Sequence, residues 1–174
     1  MLRRAALACS VLFTLSLLLA PELARSDAPL PVAEKYTKCS ASGKLCFTSD
    51  PDGGFTWGHP QGKPEPPTWV LPGWFRVAFL ADDGEHLVTG YDGGNLVPRE
   101  VPETITVVSF WYQRRLLKSY TLDDLGYTKS KLQETASHYA WGSYEGFGAD
   151  GRFRLRMIDD KVLAFDVATG ELVP

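Results

Sequence analysis

Short apolar runs separated by turn signals dominate the chain. The turns fall at Ser42-Gly43, Asp52-Gly53-Gly54, Asp83-Gly84, Asp92-Gly93-Gly94, Asp150-Gly151, Asp159-Asp160 and Thr169-Gly170. Between them lie runs at 74–80, 85–89, 105–111, 116–122, 151–158 and 162–167, rich in β-branched and aromatic residues. Many short strands at regular spacing predict an all-β domain of antiparallel strands. The stretch 128–137 lacks Gly and Pro, and Ser130 and Gln133 have capping-box spacing. One short inserted helix is expected there, with Leu132 and Ala136 on one face.

The strand faces carry more detail. A two-residue type I′ turn at Asp83-Gly84 pairs Leu80 with Leu87, Phe79 with Val88 and Ala78 with Thr89. Both faces of that hairpin are then apolar, and 105–111 is almost continuously hydrophobic. Strands covered on both sides read this way, so the middle of the chain is expected between other layers. Near the C-terminus Arg152, Arg154 and Arg156 alternate with Phe153, Leu155 and Met157. A connection made of Asp159, Asp160 and Lys161 pairs Met157 with Leu163, Leu155 with Phe165 and Phe153 with Val167. Arg154 then lies opposite Asp166, and that face is expected to be wet.

Residues 1–26 have a different character. Arg3 and Arg4 precede an apolar run from Ala5 to Ala20, and Ala24-Arg25-Ser26 puts small residues at a cleavage position before Asp27. This is the layout of a secretory signal peptide, a retained anchor being the rival. The product is expected to be secreted or periplasmic, without stable membrane insertion after cleavage. Residues 27–36, with Pro29 and Pro31, read as an extended leader, and 37–174 as one all-β domain. Cleavage removes Cys9 and leaves Cys39 and Cys46. In an oxidising compartment a turn on Ser42-Gly43 sets these two opposite each other, which predicts a disulfide worth about 2–3 kcal/mol. Two buried free thiols are the alternative.

Divided at the turns, the domain falls into three units, about 37–71, 73–125 and 138–174. Residues 75–90, an apolar strand from Phe75, the Asp83-Gly84 turn and a second apolar strand ending at Gly90, resemble the opening strands of a WD40-type blade. Residues 161–172, with Phe165-Asp166 and Thr169-Gly170, are similar to the outer strands of quinoprotein-type propeller repeats. The resemblance implies a β-propeller-like repeat scaffold and no particular chemistry. Three units fall short of the usual 4–8 blades. A homodimer completing the ring and an ordinary β-sandwich are therefore both open.

The chain of 174 residues has a formal net charge of -3, and loss of three arginines and one glutamate with 1–26 makes the rest more acidic. That argues against nucleic acid as a partner. No G-x-S-x-G, H-E-x-x-H, Walker or G-x-G-x-x-G motif occurs, which favours a non-enzymatic protein without a cofactor. His59, His86 and His138 fit no local metal spacing, so no metal site is assigned. A hydrolase with dispersed residues, these histidines among them, is the least favoured reading. The leading one is a secreted β-repeat module that binds an unknown protein or glycan, or is associated with the cell envelope. Its candidate binding residues are Trp57, His59 and Trp69 around a Pro/Gly-rich loop, and the row Arg152, Arg154, Arg156. A carbohydrate-binding module using the loop aromatics is the alternative. Against these stand blander readings, in which the tryptophans are core and the arginines a solvated face.

Overall fold

The computed structural model describes residues 29–100 and 102–174, so the signal-peptide reading of 1–26 lies outside the described residues. Strands β1 (Tyr36–Cys39), β2 (Leu45–Asp50), β3 (Phe55–Pro60) and β4 (Trp69–Pro72) form a first antiparallel sheet in chain order. Next come β5 (Ala78–Leu80) and β6 (His86–Gly90). Strand β7 (Leu96–Pro98) departs to another sheet before β8 (Thr106–Tyr112) and β9 (Arg115–Thr121) complete the second, in the order β5-β6-β8-β9. Strands β10 (Gln133–Glu134) and β11 (His138–Ala140) join β7 in a small third sheet, β10-β11-β7. Strands β12 (Gly142–Phe147), β13 (Phe153–Met157), β14 (Val162–Phe165) and β15 (Leu172–Val173) make the fourth.

The all-β expectation holds, but the propeller resemblance does not extend to the architecture. Among the described residues the strands form four separate antiparallel sheets, each open and none closed into a ring, and one of them is assembled from strands far apart in sequence. The β-repeat module, in which every unit builds the same blade, is overturned with it. A two-sheet sandwich fails as well, because the second sheet is packed on both faces. One face sends Ala78, Leu80 and Leu87 against Phe47, Trp69 and Leu71 of the first sheet. The other sends Val88, Val108 and Phe110 against Phe153, Leu155 and Phe165 of the fourth. Val97 and Tyr139 of the third sheet join that larger core. The middle of the chain is thus enclosed between layers, as its two apolar faces require.

The β5–β6 register is the expected one, with Ala78 opposite Thr89 and Leu80 opposite Leu87. The turn differs. Gly84 N–H donates to Ala81 O at 3.0 Å and Ala81 N–H to His86 O at 2.9 Å. Gly84 has φ +74, while Asp83 stays at negative φ. The loop is therefore longer than a type I′ turn, which needs positive φ at both central residues. Both turns share a midpoint, so the register survives.

The C-terminal hairpin keeps its faces but shifts its pairing by two residues. Phe153 faces Phe165, Leu155 faces Leu163 and Arg154 faces Ala164 rather than Asp166. Asp160 N–H donates to Met157 O at 3.0 Å, and the φ of +65 at Asp160 turns the chain so that Lys161 O accepts from Met157 N–H at 2.8 Å, closing the loop one residue early. The expected helix at 128–137 is also absent. A single 3-10 turn covers Lys129–Lys131, and Gln133 and Glu134 pair with Ala140 and Tyr139. A helix this short has a costly nucleus, and here the ladder with β11 satisfies the backbone instead. Among the described residues no helix is long and apolar enough to cross a membrane.

Candidate functional site

Loops from three sheets converge at one end of the stack. The β1–β2 loop is closed by Gly43 N–H to Ser40 O at 2.9 Å, with Cys39 and Cys46 directly paired and bridged by a disulfide. Ser42 N–H donates to Asp82 Oδ1 at 2.7 Å, tying this loop to the β5–β6 loop. There Asp83 Oδ1 accepts the N–H groups of Glu85 (2.8 Å) and His86 (3.0 Å), and Asp83 Oδ2 meets His86 Nδ1 at 2.6 Å. On the β12–β13 loop, Gly148 N–H donates to Arg152 O at 2.9 Å, and Asp150 Oδ2 accepts Arg154 at 2.7 Å. Each loop is held by its own bonds before any ligand arrives.

The loops enclose a cleft of about 340 Å³, a size suited to a small ligand or a single side chain. Buried Leu80 and Ala81 and half-buried Phe147 and Val167 give it apolar walls, with Asp82 and Asp83 among its lining residues. The Ser42 N–H, followed by the Ser40 and Ser42 hydroxyls, holds the Asp82 carboxyl below the usual carboxylate range. For Asp83 partial burial pushes upward, but the N–H groups of His86 and Glu85 and the His86 ring outweigh it and the net shift is down. Both are anions at neutral pH. An apolar slot with fixed negative charge suits a cation on an aliphatic stem.

The residues singled out in the sequence lie elsewhere and do not form one site. Trp69 opens β4 and is buried, and its Nε1–H donates to Gly84 O at 2.7 Å. Trp57 lies within β3, half-buried beneath Lys35, whose Nζ is 5.1 Å from its ring centroid. Neither is on a loop, which removes the basis of the carbohydrate-binding reading. Trp57 instead shares a shallow hollow on the first sheet's outer face with Phe55, Val70 and Pro67.

His59 is buried. Its Nδ1 lies 2.9 Å from Pro60 O, an acceptor only, so Nδ1 carries the proton. In the neutral ring Nε2 then accepts from Thr48 Oγ1 at 3.0 Å, and Thr48 Oγ1 accepts from Thr37 Oγ1 at 2.7 Å. His59, His86 and His138 belong to three different sheets, and no group of three or more His, Cys, Asp or Glu suited to a metal occurs among the described residues. The arginine row is a solvated face. Arg154 pairs with Asp150 and Arg156 with Glu145 at 2.5 Å, and neither uses Asp166.

The cleft was hidden from the sequence because its walls come from loops as far apart as Ala41 and Val167. The Asp82-Asp83 pair was the one local signal, and it read as a turn. No family model matches the chain, and no curated protein matches it.

Proposed function

We propose that this chain works outside the cytoplasm as a non-catalytic docking domain, and that the three-loop cleft receives a lysine or arginine side chain from a partner polypeptide. The observation that carries this is the pairing of apolar walls with two carboxylates that are already fixed and ionised. The aliphatic stem packs against Leu80, Phe147 and Val167 while the cationic head meets Asp82 and Asp83. The disulfide at the base of the β1–β2 loop fits an oxidising compartment. The test is fluorescence polarisation with a labelled peptide carrying one central lysine, against wild type and an Ala149→Arg variant. Ala149 is an exposed lining residue, so the new guanidinium fills the cleft at little cost to the fold. Saturable binding that Ala149→Arg abolishes is expected. Equal binding by both proteins, or by a norleucine peptide, would overturn the proposal.

A further inference from the structure

The segment 29–35 precedes β1 without regular secondary structure, yet it lies against the body of the protein. Lys35 at its end pairs with Asp50 at 2.9 Å, and before it two side chains of the body hold the segment, both by reaching main-chain carbonyls. Arg76 Nη1 donates to Pro31 O at 2.7 Å, and Trp74 Nε1 donates to Glu34 O at 3.0 Å. The donors are fixed independently of the segment. Arg76 Nε donates to Asp92 Oδ1 at 3.1 Å, and its guanidinium carbon sits 4.9 Å from the centroid of the Trp74 ring. A positioned indole beside a positioned guanidinium is a surface suited to carbonyls of an extended chain whose prolines keep it from folding on itself.

The resident segment uses this surface poorly. Val32 is 82% exposed and Leu30 50%. Pro29 and Leu30 wall one side of a hollow of about 490 Å³, facing Tyr91, Asp92, Leu96 and His138. The backbone is recognised, and the side-chain space beside it is left unfilled by the described residues. We propose that the surface of Trp74, Arg76, Tyr91 and Leu96 is a docking groove for an extended, proline-containing segment of a partner polypeptide, with residues 29–34 as its resident, displaceable occupant. A partner with a bulkier apolar side chain at the Leu30 position fills the hollow and gains over the resident. The resident has the advantage of its tether, which acts as an effective concentration on the order of millimolar. No residue is shared with the three-loop cleft, so each proposal stands or falls by itself.

The test uses the full chain carrying Cys9→Ser and Val32→Cys, labelled at the new thiol with an oxazine dye that tryptophan quenches. Val32 is bracketed by the bonds from Arg76 and Trp74, so the docked segment is quenched. A synthetic peptide copying residues 28–34, and the same peptide with Leu30→Phe, are titrated in. The expected result is a saturable rise in fluorescence, reached at several-fold lower concentration with the Leu30→Phe peptide. Arg76→Gln should raise the signal without any peptide. No rise with either peptide through the millimolar range overturns the groove, whatever Arg76→Gln does. An equal rise with a peptide carrying Pro29→Gly and Pro31→Gly overturns the preference for proline.

Discussion

Gly58 sits in β3 with Trp69 of the neighbouring strand opposite it. Its φ is not in the left-handed region, so Gly58→Ala carries no left-handed backbone strain and acts through space alone. An added Cβ would lie 2.3 Å from Trp69 Cε2 and 2.4 Å from Nε1. The ring cannot retreat freely, because Nε1–H is bonded to Gly84 O at 2.7 Å and the indole packs with Phe47, Leu71 and Leu87. Overpacking of this kind costs about 1–3 kcal/mol. Losing the hydrogen bond adds about 1 kcal/mol. Exposing half of an indole of about 200 Å² adds about 2.5 kcal/mol if the ring is expelled. These are alternatives as much as a sum, and the expected loss is about 3 kcal/mol. Gly43→Ala is the control, since Gly43 has φ +70 with nothing within 4 Å of a new Cβ. It should lose only about 1 kcal/mol, from backbone strain. Urea unfolding followed by circular dichroism measures both, and tryptophan emission should shift to the red in Gly58→Ala alone. A Gly58→Ala variant no less stable than Gly43→Ala, with unchanged emission, would refute the packing of the first sheet on the second.

Thr48→Val removes the hydroxyl between Thr37 and His59 while keeping the shape, leaving His59 Nε2 buried without its donor. A loss of about 1–3 kcal/mol is expected by urea unfolding, and a neutral result would mean that water replaces the hydroxyl. Burial pushes the Tyr36 phenol up to about 12, with a Ser49 hydrogen bond opposing it. A raised folded value means this stability is whole below pH 10 and lost as pH climbs from 10 to 12. Chemical denaturation across that window should show the fall, shallower in Tyr36→Phe; equal slopes would remove Tyr36 as the cause. Reduction of Cys39–Cys46 should cost about 2–3 kcal/mol, measured as a lower urea midpoint with dithiothreitol, and no shift would contradict the loop-closure argument.

What was legible in the sequence was local. Alternation of Arg152, Arg154 and Arg156 with Phe153, Leu155 and Met157 set the two faces of β13, and those faces survive a pairing shift because side chains repeat every two residues. The shift itself was decided by Asp160 entering the left-handed region, which sequence favours only weakly over its neighbours. Cys39 and Cys46 were readable because a tight turn on Gly43 leaves them few other positions. The third sheet was not readable, since β7 finds β11 about forty residues later and no short-range signal names a partner at that distance. The same holds for the two tryptophans. Their proline-rich surroundings suggested loops, yet cross-strand pairing draws Trp57 opposite Val70 and Trp69 opposite Gly58, where the missing side chain makes room for the indole.

The most direct test of the proposed docking site is an amide chemical-shift map of the isotopically labelled chain titrated with Nα-acetyl-lysine methylamide. If the cleft takes a cation on an aliphatic stem, the shifts that saturate should cluster on 80–83 and 147–151, and should disappear on adding Ala149→Arg. Shifts scattered over the surface carboxylates in proportion to their exposure, or centred on the outer face around Trp57, would contradict it.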